Sequence, residues 1–195
     1  MTQQTIGIRA DGFILAGGDS TRFGRDKATA LYEGEALIDR CLGRLREVGV
    51  SQSIVTPDRT RYSDREVCIL AEEREGLGPV EGLRVALETC RRPWALVLAV
   101  DMPRVDHAML SALMSQADEE DHALCFLDSD GRRHPFPGIY RTTLAPLVAR
   151  MSDAGSMQRL LNHVGARTLR REQIPEIADL DRSLMNVNRP EDLAG

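Results

Sequence analysis

The sequence predicts an α/β fold, a single three-layer domain in which a mainly parallel sheet lies between helices. The first observation is that short apolar runs alternate with segments of helical periodicity along nearly the whole chain, a pattern typical of parallel sheets covered by helices. The second is the length of 195 residues, which suits one domain. The third is that no repeat, low-complexity tract or long linker interrupts the chain.

The predicted strands are short apolar runs, and the predicted helices are stripes of apolar side chains three or four positions apart. Strands are expected at residues 12–16, 52–56, 67–71, 94–100, 122–127, 137–141 and 166–170. Helical stripes cover residues 38–48, 83–90, 109–117, 144–151 and 157–164. The run WALVLAV at 94–100 is almost wholly apolar, which is typical of a central strand covered on both faces.

Composition and charge limit the function classes. The formal net charge of −5 argues against binding to nucleic acid or to a membrane surface, because both call for a basic face. No apolar run approaches the roughly 20 residues that span a bilayer, and the N-terminal residues lack the apolar stretch of a secretory signal. We interpret residues 1–11 as a short flexible lead-in and residues 12–195 as the domain.

The four cysteines are Cys41, Cys68, Cys90 and Cys125. Each stands in an apolar segment, and none lies within metal-ligand spacing of another. We therefore expect buried, reduced thiols and a cytoplasmic protein.

Two loops of the predicted fold should open on the same crevice. Ligands of such sheets bind at the carboxyl ends of the strands. The loop after the first strand covers residues 17–27, and the loop after the strand at 94–100 begins with Asp101. We expect the functional site where these two loops meet.

The first loop has the composition of an anion site. Gly17 and Gly18 let the backbone turn sharply and bring its amides close to a ligand. Arg22, Arg25 and Lys27 add positive charge. Neither GxxxxGK[ST] nor GxGxxG is present, so the loop is of neither common nucleotide-binding type. A solvated turn with scattered charges is the alternative, but the full stretch directly after a strand favours a polyphosphate site.

Asp101 is the second anchor of the predicted site. A carboxylate at the end of a strand can coordinate Mg²⁺, which takes one or two protein carboxylates and completes its sphere with water and phosphate oxygens. The alternative is that Asp101 caps a helix beginning near Val105. Together with a cationic phosphate loop, and with no obvious nucleophilic serine or cysteine, the carboxylate indicates phosphoryl or nucleotidyl transfer.

The stretch LAGGDSTRFGRDKA at residues 15–28 resembles the opening motif LAGGxSxRxGxDK of the molybdenum cofactor guanylyltransferases, a branch of the α/β nucleotidyltransferases. Three further stretches fall where that family has them: EGLGPVEGL at 75–83, VDMPRV at 100–105 and NVNRPEDL at 186–193. The resemblance implies the Rossmann-like fold of the nucleotide-diphospho-sugar transferases. It also implies transfer of GMP from GTP to the phosphate of molybdenum-loaded molybdopterin, with release of pyrophosphate and with Mg²⁺ as the metal.

The resemblance also assigns roles to individual residues. On the nucleotide side it implies contacts from Leu15, Ala16, Gly17 and Gly18, neutralisation of the triphosphate by Lys27 with help from Arg22, and a metal ligand in Asp101. Asn188 resembles an asparagine that faces the reacting phosphates. Two positions depart from the family's common pattern. Where an aspartate is frequent this chain offers Glu72 or Glu73, of which the spacing favours Glu72, and Thr56 stands where an asparagine is frequent. Both residues are expected to contact the nucleotide, and both departures leave the choice between GTP and CTP open.

His134 lies in GRRHPFPGIY at residues 131–140. This stretch either contacts the phosphate or pterin of the acceptor or forms an ordinary charged hairpin. For the whole chain, the alternatives are a related nucleotidyltransferase that uses CTP, one that acts on a sugar phosphate or phospholactate, and a carrier of nucleotide or cofactor without catalysis. The family resemblance further implies transient contact with molybdenum-insertion proteins and apo-molybdoenzymes.

Overall fold

The computed structural model describes residues 9–17, 26–74, 77–151 and 156–193. Within these ranges, seven strands form one sheet, and a two-stranded hairpin lies beside it. The strands are β1 (Ala10–Leu15), β2 (Leu31–Tyr32), β3 (Glu35–Ala36), β4 (Ser51–Thr56), β5 (Cys68–Ala71), β6 (Trp94–Ala99), β7 (Ala123–Leu127), β8 (Arg133–Arg141) and β9 (Arg167–Leu169).

The large sheet has the order β5-β4-β1-β6-β8-β7-β9. Strands β5, β4, β1 and β6 pair in parallel, with β1 between β4 and β6. Strand β8 is antiparallel to β6 and β7, while β7 and β9 are parallel. Because one strand is reversed between two parallel groups, the carboxyl ends of β1, β4, β5, β6, β7 and β9 share one edge.

The helices are α1 (Leu37–Glu47), α2 (Pro79–Thr89), α3 (His107–Gln116), α4 (Ala145–Ala149), α5 (Met157–His163) and α6 (Leu180–Ser183), and 3-10 turns occur at 27–29, 142–144, 171–173 and 190–193. Helix α1 packs on β1, β4 and α3, whereas α2 packs on β1, β4, β6 and α4. The sheet therefore lies between helices, as the sequence predicts. In the described part of the chain, no helix has both the length and the apolar character needed to cross a membrane.

Most predicted elements are confirmed, with shifted ends. Strand β6 is buried and central, and Pro79 is at the start of α2. Strand β1 begins at Ala10, so the last two residues of the expected lead-in belong to the sheet, and residues 1–8 lie outside the described ranges. The expectation of four buried cysteines is confirmed for Cys41 and Cys125. It is wrong for Cys68, which is exposed at the start of the edge strand β5, and Cys90 is only half-buried.

Candidate active site

A cleft of about 630 Å³ lies at the edge where the parallel strands end. It is bounded by residues that follow β1, β5 and β6, by the start of β8, by the start of α5 and by the segment before the last 3-10 turn. The lining includes Leu15, Ala16, Gly17, Lys27, Glu72, Asp101, His134 and Asn188. The structure thus brings eight of the residues predicted from the sequence into one crevice.

Lys27 is held at the cleft by the residue before it. The carboxylate of Asp26 accepts the N–H of Ala28 at 3.0 Å and the hydroxyl of Tyr62 at 2.7 Å. Ala28 is buried, so the short 3-10 turn at 27–29 is anchored in the core. The backbone of Lys27 is therefore fixed, although Lys27 follows a glycine-rich loop in the sequence.

The hairpin β2–β3 ties this turn to the loop after β6. Tyr32 of the hairpin is buried, and the guanidinium groups of Arg40 and Arg104 lie 5.1 and 5.4 Å from the centre of its ring. Arg40 also donates to the carbonyl of Pro103 at 3.0 Å. These cation–π and hydrogen-bond contacts link the chain that follows Lys27 to the chain that follows Asp101.

Asp101 forms the centre of the site. One of its carboxylate oxygens, Oδ2, accepts the Nζ of Lys27 at 3.0 Å. The other, Oδ1, is buried and has no hydrogen-bond donor among the described residues. The alternative role as a helix cap does not apply, because Asp106 caps α3 by accepting the N–H of Met109. A buried carboxylate oxygen without a donor is chemically suited to a hard cation.

The C-terminal segment closes the cleft beside Asp101. The N–H of Val187 donates to the carbonyl of Asp101 at 2.8 Å, and the Val187 side chain packs on Ala30. Asn186 and Asn188, on either side of Val187, line the cleft. The backbone N–H of Asn188 is held by the carboxylate of Asp192 at 2.8 Å.

Glu72 lies at the other end of the cleft, against two glycines. A Cβ at Gly17 would come within 2.5 Å of its Oε1, and one at Gly82 within 3.2 Å. Burial raises the pKa of the Glu72 carboxyl above its ordinary value, and the charge of Glu81 raises it further. No hydrogen bond from a described residue contributes to this shift, so the carboxylate is available to a ligand with N–H groups.

An ion pair on α2 supports the segment that carries Glu72. Glu81 is 1% exposed and Arg84 is 5% exposed, and Arg84 donates two hydrogen bonds to Glu81 at 2.6 and 2.9 Å. Glu81 Oε1 also accepts the N–H groups of Glu73 and Arg74, both at 3.2 Å. Burial opposes the charged form of Glu81, but these hydrogen bonds outweigh it and lower its pKa.

Thr56 differs from the other predicted nucleotide contacts. It is fully buried at the end of β4 and does not line the cleft. Its carbonyl accepts the N–H of Glu72 at 3.0 Å, and its hydroxyl accepts the N–H of Asp58 at 3.5 Å. In this geometry the carbonyl of Thr56 holds the backbone of Glu72, and the Thr56 side chain does not face the cleft.

His134 lines the cleft from the start of β8. Its Nε2 donates to Oδ2 of Asp128 at 2.8 Å, and both side chains are largely buried. His134 is thus part of a structured wall of the cleft rather than of an ordinary charged hairpin, and its contact with an acceptor stays a prediction. Two other predicted residues, Gly18 and Arg22, lie outside the described ranges, as does Arg25.

Several cleft residues escape sequence reasoning. Arg132 and Arg133 stand beside His134 in a stretch already notable for its charge, and Asn186 belongs to the quoted NVN motif. Ser156 and Gln158, at the start of α5, also line the cleft. No local pattern marks these last two, because only the packing of α5 against β8 brings them there.

Comparison with known proteins agrees with this geometry. Residues 12–172 match the family described as the MobA-like NTP transferase domain. A probable molybdenum cofactor guanylyltransferase from Mycobacterium ulcerans is 37% identical over 159 residues, covering 78% of this chain and 78% of the relative. A molybdenum cofactor guanylyltransferase from Pseudomonas paraeruginosa is 34% identical over 189 residues, covering 93% of this chain and 91% of the relative.

Among solved structures, the fold is similar to that of molybdopterin-guanine dinucleotide biosynthesis protein A from Archaeoglobus fulgidus. The TM-score is 0.79 at 21% identity, over 94% of this chain and 95% of the other. The matches confirm the resemblance that the four sequence motifs indicate. The chain therefore belongs to the MobA-like NTP transferase family and, within it, groups with the molybdenum cofactor guanylyltransferases.

Proposed function

We propose that this protein transfers GMP from GTP to the phosphate of molybdenum-loaded molybdopterin, releasing pyrophosphate and forming the molybdopterin guanine dinucleotide cofactor. Family membership supports the reaction class. The observation that carries the proposal is the environment of the Asp101 carboxylate. Its Oδ2 accepts a hydrogen bond from Lys27, and its Oδ1 is buried without a donor among the described residues. Such a pair suits a metal-bound triphosphate.

On the nucleotide side, the backbone of Leu15, Ala16 and Gly17 approaches the nucleoside, and Lys27 neutralises charge on the triphosphate. Glu72 accepts N–H groups of the base. Guanine offers two adjacent N–H groups, which suits a carboxylate with both oxygens available. Gly18 and Arg22, in the loop between these residues, complete the phosphate contacts.

Asp101 would hold the divalent cation, and Mg²⁺ is the cation we propose. In the described ranges no group of three or more His, Cys, Asp or Glu side chains could hold a metal. A single carboxylate fits a cation whose remaining ligands are water and phosphate oxygens. When bound, the cation would supply charge neutralisation at the phosphates undergoing transfer.

Asn188 and His134 form the acceptor side, together with Arg132 and Arg133 from the start of β8. Positioning and charge neutralisation are the main tasks of a phosphoryl-transfer site, and these donors would orient the attacking phosphate. We further propose a cytoplasmic location and transient contact with molybdenum-insertion proteins and apo-molybdoenzymes, which the finished cofactor must reach.

The decisive experiment measures pyrophosphate release by the purified protein with Mg²⁺, given GTP or CTP, with and without molybdenum-loaded molybdopterin. Release with GTP that requires the pterin is the expected result. Release with CTP instead would overturn the base assignment and keep the transfer chemistry. No pyrophosphate release with either nucleotide would contradict the proposal, and a transferase for another acceptor or a carrier would then be the better explanation.

Asp101→Asn tests the catalytic centre. Because asparagine is neutral, it removes the anionic cation ligand and the partner of Lys27, so we expect turnover to fall by about two to four orders of magnitude. GTP binding should persist, since the contacts around Leu15–Gly17 and Glu72 remain. Steady-state kinetics and calorimetric titration with GTP measure the two effects. Equal turnover of variant and wild type would exclude this role for Asp101.

A further inference from the structure

The acceptor wall of the cleft carries an imidazole that is held by a carboxylate. His134 Nε2 and Asp128 Oδ2 are 2.8 Å apart, and the two side chains are 16% and 15% exposed. Asp128 is itself fixed, because its Oδ1 accepts the N–H of Arg132 at 2.8 Å and its N–H donates to the Arg132 carbonyl at 3.1 Å. The pair is therefore a rigid unit rather than a surface ion pair.

An irregularity in β8 brings this pair to the cleft. The register between β7 and β8 shifts between Cys125, which pairs with Gly138, and Phe126, which pairs with His134. The extra residues of β8 bulge out, and the hydroxyl of Tyr140 donates to the carbonyl of Pro135 to hold the bulge. A Cβ at Gly138 would come within 2.4 Å of that carbonyl, so glycine is required there. Bulges of this kind re-aim side chains next to active sites.

The chemistry of the pair fixes the location of its proton. A carboxylate only accepts hydrogen bonds, so the nitrogen facing Asp128 carries a hydrogen. The hydrogen bond from His134 keeps Asp128 in its charged form, and the pKa of Asp128 is lowered although burial opposes this. The second ring nitrogen, Nδ1, then has a lone pair available to a ligand in the cleft. A carboxylate that holds an imidazole in this way also stabilises the imidazolium that forms when Nδ1 takes a proton.

We propose that His134, positioned by Asp128, accepts the proton of the acceptor's phosphate monoester and then holds the resulting dianion. This inference rests on the proposed function. A phosphate monoester has its second pKa near 6, so a share of it arrives with one O–H. The Nδ1 lone pair takes that proton as the O–H bond breaks. The freed oxygen attacks the α-phosphorus of GTP, and the bond to the β-phosphate breaks with its electron pair leaving on pyrophosphate.

The proton stays on Nδ1 through the transfer and donates a hydrogen bond to the acceptor phosphate until product leaves. His134 is thus a catalytic residue and Asp128 a positioning residue. The charged groups that line the cleft around them come from both walls: Asp26, Lys27, Glu72, Asp101, Arg132 and Arg133.

Kinetics separate this role from a structural one. For His134→Gln we expect kcat/KM for molybdopterin to fall about 100-fold, with the Kd for GTP within about twofold of wild type because the nucleotide contacts are unchanged. For Asp128→Asn, which keeps an acceptor for the Arg132 N–H, we expect a smaller loss. In both variants the loss should fall on the reaction with molybdopterin, because the acceptor phosphate is the group that His134 contacts.

Loss of folding alone would weaken GTP binding together with turnover. An unchanged kcat/KM for molybdopterin in both variants would overturn the inference. If the wild type shows no pyrophosphate release that depends on molybdopterin, the proposed function is contradicted. A binding measurement then tests separately whether His134 receives a phosphate.

That measurement is ¹⁵N NMR of the four histidines titrated with inorganic phosphate, with a non-hydrolysable GTP analogue and Mg²⁺ present to occupy the triphosphate site. We expect phosphate to shift the His134 signal and to leave the exposed His107, His122 and His163 unchanged. The shift should be lost in Asp128→Asn or need higher phosphate. Equal shifts at all four histidines, or none at His134, would show that the pair does not receive a phosphate.

Discussion

At the scale of single residues, the carboxylate of Glu72 illustrates a conflict between stability and ligand binding. It is half-buried, no hydrogen bond from a described residue lowers its pKa, and it lies near the like charge of Glu81. Burying an unpartnered carboxylate is unfavourable, and the raised pKa expresses the same fact. A residue in this environment is retained for what it binds rather than for the fold.

Glu72→Gln should therefore stabilise the protein at neutral pH, with a rise in Tm of about 1–4 °C. The folded-state pKa lies above the unfolded value, so the glutamate destabilises the fold progressively as pH rises through that window. The stabilisation by Glu72→Gln should be absent at acidic pH, where Glu72 is protonated in both the folded and the unfolded state. It should reach its full value at neutral pH.

Thermal melts at several pH values measure this effect, with the exposed Glu66→Gln as the matched control. In the same variant we expect the preference for GTP over CTP to weaken, because an amide cannot accept two N–H groups with two oxygens. A fall in Tm at neutral pH would mean that Glu72 has a stabilising partner.

The site residues that could be predicted are those whose position in the sequence already indicates their chemistry. Lys27 follows a glycine-rich loop and Asp101 follows a buried strand, so the sequence alone makes each of them notable. The link between Asp128 and His134 is different, because it depends on how the β7–β8 turn closes. Thr56 shows the opposite error, since its place at a strand end suggested a ligand contact whereas its side chain lies in the core.

At the scale of elements, α2 is notable for an ion pair on its buried side. Glu81 and Arg84 are three positions apart, a spacing that is more often a solvated surface pair. Here both are nearly inaccessible, and Glu81 also holds the backbone that leads from Glu72. The helix thus supports the end of the cleft that contains Glu72.

Arg84→Met should lower the free energy of unfolding by about 3–5 kcal/mol, because it leaves the Glu81 carboxylate buried without its cation. Denaturation by urea measures this loss. The double variant Glu81→Leu with Arg84→Met is the control, and it should be more stable than the single variant, since no uncompensated charge remains. A single variant as stable as wild type would contradict a buried role for the pair.

The apolar strands were predictable, whereas the polar and short elements were not. Strand β8 begins at Arg133, four residues before the predicted start, because Arg133, His134 and Pro135 have no strand-like pattern of their own. The hairpin β2–β3 has two residues in each strand, too few for any periodicity, and Tyr32 between two guanidinium groups holds it in place. In both cases tertiary contacts replace local propensity.

At the scale of the whole molecule, the cleft is built from distant parts of the chain. Gly17, Glu72 and Asp101 follow three strands, His134 lies at the start of β8 and Asn188 precedes the last 3-10 turn, and the fold brings all five to one edge of the sheet. The rule that ligands bind at the carboxyl ends of parallel strands therefore located the site. The reversed direction of β8 could not be predicted, and the start of this strand forms the wall of the cleft to which we assign the acceptor.

Because so many segments meet at the cleft, GTP bound there as proposed should stabilise the entire domain. A ligand at about 100 times its Kd adds about 2.7 kcal/mol, which corresponds to a rise in Tm of about 5–10 °C for a chain of this size. We expect this shift with GTP and Mg²⁺ together, a smaller one without Mg²⁺ and a smaller one with CTP. Thermal melts measure it, and a larger shift with CTP than with GTP would contradict the proposed base preference.

The strap formed by Val187, which binds the carbonyl of Asp101 and packs on Ala30, has a consequence for synthesis on the ribosome. All strands of the sheet are translated before this segment, so a nascent chain can assemble its sheet while Asp101 and the turn after Lys27 still lack their common partner. The wall of the cleft that contains Asn186 and Asn188 is then added only when residues 186–188 have left the exit tunnel. An arrested chain that ends before them would be folded in large part and would lack the hydrogen bond that holds the Asp101 carbonyl.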